Sequence, residues 1–328
     1  MFTNIPQSRY IYHFLIYCLT LIGCGAVITG LGPLLPFFGA EYHEDATSYS
    51  FLFLARAAGY LLGSLLSKIW EKIFTFHQVI LYSCIIMAIM LLFFSFVPVL
   101  SYKTFFIFIT GIMNSQLDIF INMSIIEEEK NNQLDFWLQV SHGAFGIGGL
   151  VGPLFVFWLG FKSFIGIAAI FLIVAPPYAF LKSPDVEKRE LSERLIKSEQ
   201  SIPIERRLTI IPKLLICFMF LLMVGKETAF GGLISSYAYI GNIASKEMSS
   251  LFGSLYWLSM TLFRFIFSCF PGSPSKKLFY FTLGSIICSS LSLVIIKEID
   301  AEVGVIFSSA VLGMLCSVLF PLLLSMPK

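Results

Sequence analysis

Apolar runs of roughly 20 residues, the length that crosses the hydrocarbon core of a bilayer, recur along this chain with short polar breaks between them. They fall at about 10–38, 49–67, 77–98, 103–126, 134–159, 161–181, 209–239, 248–270, 277–297 and 303–326, and the pattern predicts a membrane-spanning helix at each. Short connections force neighbouring helices to run antiparallel. The long break is 182–208, which contains SPDVEKRELSERLIKSEQSIPIERR and carries both charge signs. There Ser183-Pro184-Asp185 reads as a helix start, with Pro at the first helical position. Val186, Leu191 and Leu195 form a weak apolar stripe, so the segment reads either as a short helix near the headgroups or as a solvated linker. The predicted organisation is a six-helix half at 1–181, a cytosolic linker at 182–208 and a four-helix half at 209–328.

Composition agrees with this pattern. Hydrophobic residues make up 57% of the chain and charged residues 13%, about half the 25% or so that a soluble domain carries. The fold class is therefore all-α, a polytopic membrane protein in a lipid bilayer. A net charge of +2 without a concentrated basic face excludes a nucleic-acid partner. The seven cysteines lie singly in apolar runs, without the spacing of a disulfide frame or a metal site, and read as small core residues. No cofactor motif stands out, and the first run is too long for a signal peptide. Lys and Arg favour one set of loops: Arg9, Lys68, Lys72, Lys130, Lys276, Lys277, Lys328 and the linker lie on one side, against Lys103, Lys162, Lys246 and Lys297 on the other. This places the N-terminus in the cytosol.

Charged and amide residues inside the spans change the picture most, because such groups are costly in lipid and tend to face a bundle interior. Arg56 lies 12 residues from Lys68, roughly 18 Å along a helix and too deep to reach the headgroups easily. Gly59 and Gly63 follow it as a small-residue seam. Asp118 and Asn122 share a helix face, as do Gln139 and His142 on the next helix. Asp118 and His142 each stand nine residues from the same edge, about 13 Å deep, so the four can line one polar patch. Lys226 and Glu227 are adjacent, point about 100° apart on a helix and require separate partners. Gly225, Gly231 and Gly232 suggest a loosened helix there. Arg264 can either reach the headgroups or pair with the polar patch, and Trp257 can either pack or stack on a sugar ring.

Four stretches carry a family resemblance: ARAAGYLLGSLL at 55–66, LDIFIN at 117–122 followed by QVSHGAFGIGGLVGP at 139–153, VGKETAFGGLISSYA at 224–238, and LGMLCSVLFPLLLS at 312–325. In this order they resemble helices of the major facilitator superfamily, in the branch of sodium-dependent glucose transporter-like proteins and fucose–proton symporters. The resemblance implies a helical bundle of about ten spans, six plus four, without the last two helices of that plan. It implies sugar uptake coupled to sodium or protons, with the plasma membrane as the expected location. Asp118, Asn122, Gln139, His142, Glu227 and Trp257 would bind substrate, and Glu227, Asp118, Lys226, Arg56 and Arg264 would couple or gate. Any sodium would sit at Asp118 or Glu227; no other metal is expected. The loop GSLLSKIWEK departs from the superfamily's usual G-x-L-A-D-R-x-G-R-K, with Ser67 at the acidic position.

Two functions fit these residues. One is a sugar transporter. The other is a non-transporting subunit, with a partner chain covering the exposed second helix. An enzyme is not expected, since no nucleophile with its base stands at a water-accessible end.

Overall fold

The computed structural model describes residues 7–43, 46–129, 133–186, 210–268, 274–298, 300–317 and 319. These residues form α1 (Gln7–Tyr42), α2 (Phe51–Ile73), α3 (Phe76–Phe96), α4 (Leu100–Glu128), α5 (Leu134–Leu159), α6 (Ser163–Phe180), α7 (Ile210–Ile240), α8 (Lys246–Ser268), α9 (Pro274–Glu298) and α10 (Ala301–Cys316). No strand occurs among them. Helices satisfy every backbone group within one segment, which is why a chain this apolar adopts nothing else.

Among the described residues, eight stretches are long and apolar enough to cross a membrane. One of them, Phe136–Phe180, holds both α5 and α6, which separate at the 3-10 turn Gly160–Lys162. Gly160 sits there at φ +52°, a conformation that only glycine adopts without strain. The last helix, Ala301–Cys316, has 16 described residues and falls below span length. Most of the expected linker helix, the C-terminal part of the last expected span with Phe320-Pro321, and Cys269 lie outside the described residues.

α1 is central, packing on α5, α6 and α7, while α4 packs on α2 and α3. α8 lies against α5, α7 and α10. One continuous apolar core joins α1, α3, α4, α5 and α6 and includes Tyr17, Leu31, Phe94, Phe120 and Phe171. The later helices hold two smaller clusters, one around Tyr256, Trp257 and Met260 and the other around Ile234 and Phe252. α2 presents Leu54, Leu61, Leu65 and Ile69 outward.

The predicted seam on α2 is real. A Cβ added at Gly59 or Gly111 would strike the backbone carbonyl of Phe108 or Arg56 respectively, so α2 and α4 touch through their main chains. Gly59→Leu is expected to force them apart at a cost of about 1–3 kcal/mol. Thermal unfolding in detergent would register the loss, and an unchanged melt would contradict the tight crossing.

Three local readings change. α7 runs unbroken from Ile210 to Ile240, so its glycines do not interrupt it. Gly231 instead makes room for the Trp257 ring, and Gly32 on α1 leaves room for the Gly232 carbonyl, beside which the Ser236 hydroxyl donates to the Gly32 carbonyl at 2.8 Å. Lys103, counted above among the loop cations of the non-cytosolic side, lies within α4 and is 2% exposed. Its ammonium lies 3.8 Å from the Phe161 ring centroid and near the Phe94 and Phe38 rings, whose faces stabilise a cation. Cys217 is exposed, unlike the buried Cys24, Cys84 and Cys316; all four are free thiols.

After α6 the chain turns back onto α3. The Phe76 and His77 amides donate to the Asp185 carboxylate and the Ser183 hydroxyl at 3.2 and 3.1 Å. Together with the Thr75–Gln78 capping box, these bonds satisfy amides that a helix start leaves open.

Candidate functional site

The polar residues of α4 and α5 meet as their depths require. Asp118 receives the Tyr60 hydroxyl on Oδ2 at 2.6 Å and the Asn122 amide on Oδ1 at 3.0 Å. The same amide also reaches the Asp118 carbonyl at 2.8 Å, a bond that the i, i+4 spacing on α4 makes available. With its amide committed to Asp118, Asn122 has Oδ1 left as an acceptor. His142 Nε2 stands 3.2 Å from that oxygen and so carries the proton. Gln139 is one turn before His142 on α5, buried, with its Oε1 lacking a hydrogen-bond partner.

Arg264 extends this patch to the later helices. Its Nη1 donates to the His142 carbonyl at 2.7 Å and its Nε to the Ser317 carbonyl. It is 1% exposed, which excludes the headgroup-reaching alternative and favours pairing with the patch. Its Nη2 lies 3.9 Å from Glu227 Oε1, near enough for charge attraction but too far for a hydrogen bond. Lys226 turns away from its neighbour and donates to the Ser285 hydroxyl on α9 at 2.9 Å. The separate partners expected of this adjacent pair are therefore present. A chain of contacts leads from Tyr60 on α2 through Asp118, Asn122 and His142 to Arg264, which holds the His142 carbonyl, and on to Glu227 on α7 by charge attraction alone.

Besides Gln139 and Lys226, which flank this path without joining it, two further expected site residues stand apart. Trp257 is 0% exposed. Its indole N–H donates to the Gly231 carbonyl at 3.2 Å, and Phe145 and Tyr256 lie edge-on to it. In this conformation it packs, and no open face is left for stacking on a ring. Arg56 is partly exposed on α2, with Nε unpaired; among the described residues no ion pair reaches it.

Tyr60 was not singled out from the sequence. It lies four residues after Arg56, on the helix that also carries Gly59. That spacing was the available signal, but a pairing 58 residues apart in the chain needs the fold to reveal it.

A bundle of long apolar helices with an ionisable path through its interior is the architecture of an integral, multi-pass membrane transporter. Residues 14–327 match the family model described as Major Facilitator Superfamily, and the chain belongs to that superfamily. Its fold is similar to a solved structure of the proton:xylose symporter XylE bound to 6-bromo-6-deoxy-D-glucose. The TM-score is 0.75 at 12% identity, with 97% of this chain and 82% of that one covered. It is also similar to the partially occluded inward-open form of XylE from E. coli, with a TM-score of 0.71 at 14% identity, covering 96% and 87%. A search of curated protein sequences finds no match.

Proposed function

We propose that this chain is a secondary active transporter for a small polyhydroxylated solute of the hexose class, coupled to protons. Its halves, 1–181 and 209–328, would rock about the path between Asp118 and Glu227. The observation that carries the solute class is a set of buried polar atoms without hydrogen-bond partners, Gln139 Oε1 and Arg264 Nη2, the latter facing Glu227 across 3.9 Å. Buried polar groups are costly unless satisfied. A hydroxyl-rich solute both donates and accepts, so it suits an amide oxygen, a guanidinium and a carboxylate at once. The named neighbours of the fold, proton:xylose symporters, carry a polyhydroxylated sugar of the same chemistry one carbon shorter, and one is solved with a glucose derivative bound.

Proton coupling is favoured over sodium by the groups around Asp118. Both side chains on its carboxylate are donors, the Tyr60 hydroxyl and the Asn122 amide. Hard cations need a shell of several oxygen ligands, whereas here the Tyr60 hydroxyl and the Asn122 amide both turn protons, not lone pairs, toward the carboxylate. A proton needs only one carboxylate oxygen, and the Tyr60 hydroxyl can rotate to accept from the acid that forms. Among the described residues no salt bridge neutralises Asp118, and a lone carboxylate at membrane depth is costly until a cation joins it.

The basic loops favour a cytosolic N-terminus and a plasma-membrane location. The four quoted stretches favour the glucose- and fucose-carrier branch.

Uptake of labelled hexoses into proteoliposomes under separate proton and sodium gradients tests this reading. An inward proton gradient is expected to drive accumulation, and a sodium gradient is not. Glu227→Gln is expected to raise KM about 10-fold or more by weakening one charge-assisted hydrogen bond, while uptake stays responsive to the proton gradient. No uptake of any hexose under either gradient would remove the solute class.

A further inference from the structure

A second cluster of ionisable residues lies away from this path, where α1 and α3 begin and α4 ends. His13, His77 and Glu128 are each buried, and one ligand atom from each lies within 4.8 Å of the other two. His13 Nδ1 is 2.7 Å from Glu128 Oε1. Tyr17 sits between the groups, its hydroxyl 2.7 Å from His77 Nε2 and 3.2 Å from Glu128 Oε1.

The hydrogen bonds do not close. The Tyr17 hydroxyl has one proton, yet it faces a ring nitrogen and a carboxylate oxygen. His77 Nδ1 is 3.3 Å from the Leu181 carbonyl, so a proton on Nδ1 suits that contact and leaves Nε2 with a lone pair. His13 Nε2 and Glu128 Oε2 are buried with no hydrogen-bond partner at all. The exposures of the His13 and Glu128 side chains, 2% and 1%, give water little access to either.

We infer that His13, His77 and Glu128 form a binding site for one zinc-like divalent transition-metal ion. Two imidazoles and a carboxylate are a recurrent zinc donor set, and the Tyr17 oxygen or a water can complete four ligands. Zinc bonds of about 2.0–2.2 Å place tetrahedral ligand atoms roughly 3.4 Å apart, so rotations of the side chains that move these atoms by about an ångström would suffice. The contact between His77 Nδ1 and a backbone carbonyl is the outer support that metal-bound imidazoles commonly have. The Ser183 and Asp185 bonds to the α3 amides hold the start of that helix in place. Coordination by the ring nitrogen of His13 that bonds Glu128 would move the imidazole proton to Nε2, keeping the ligand neutral. A bound ion would tie the ends of α1, α3 and α4 together.

The full-length protein in detergent, stripped with a chelator, would be titrated with zinc and then cobalt. Equilibrium dialysis with elemental analysis is expected to find one ion per chain, and cobalt to give the visible bands of a four-coordinate site. His77→Gln and Glu128→Gln should each weaken binding by more than the roughly 10–100-fold that loss of a supporting partner costs. Cys217→Ser, which removes an exposed thiol, should change nothing. The wild-type stoichiometry and cobalt spectrum remain decisive if a variant fails to fold. Absence of a stoichiometric ion would overturn the inference, as would binding unaffected by both variants or lost with Cys217→Ser. A melting temperature that follows pH without any ion binding would identify a proton as the occupant and equally overturn it.

Discussion

Replacing Asp118 with Asn is expected to abolish concentrative hexose uptake, lowering gradient-driven accumulation at least 100-fold. Asn122 and Tyr60 can still bond an amide at position 118, so the fold should survive. Exchange of labelled for unlabelled solute at equal concentration needs no net proton movement and should persist in the variant. This pairing of outcomes separates coupling from binding, because an amide keeps the shape of the carboxylate and loses only its ability to take a proton. Loss of both uptake and exchange would instead make Asp118 a solute ligand. Retention of full accumulation would move coupling elsewhere, with Glu227 the next carboxylate on the path.

The second large effect belongs to Arg264. Its guanidinium bonds carbonyls of two other segments, at His142 and Ser317, and sits beside Glu227. Arg264→Leu leaves Glu227, a carboxylate only 13% exposed, without its cation, a change expected to destabilise toward the lower end of the roughly 3–5 kcal/mol seen when one member of a buried pair is removed. The double variant Arg264→Leu/Glu227→Leu removes both charges and is expected to regain much of the thermal stability while transporting nothing. Arg264→Lys keeps the charge but has no planar fork to reach two carbonyls at once, so its melting temperature should fall between wild type and Arg264→Leu. Equal stability of all four proteins would mean that the path does not join the two parts of the bundle.

Much of this site was legible in the sequence because depth and helix periodicity are local properties. Asp118 and His142 stand equally far from the edges of adjacent helices, and Asn122 at i+4 is the residue that bridges them. The separate partners of Lys226 and Glu227 followed from their angular offset. What escaped depends on contacts between segments far apart in the chain. Tyr60 reaches Asp118 across 58 residues and His13 reaches Glu128 across 115, distances over which no periodicity speaks. The glycines of α7 misled for a related reason. A glycine that loosens a helix and one that admits a neighbour read alike until the neighbour, here the Trp257 ring against Gly231, is in place. Trp257 is similar: its aromatic face suits a sugar or a core equally, and burial by Phe145, Tyr256 and Gly231 decides for the core in this conformation. The helical class of the fold was plain from the apolar runs, whereas the turn at Gly160–Lys162 shows how close two spans come to reading as one.

The most direct measurement of the central claim is proton movement caused by the solute itself. Wild-type proteoliposomes would be held at equal pH inside and out, with the membrane potential clamped at zero, and a hexose added outside while external pH is recorded. The account predicts alkalinisation that follows solute entry, is discharged by a protonophore and is absent with Asp118→Asn. Solute entry with no pH change, or with a dependence on sodium in place of protons, would contradict it.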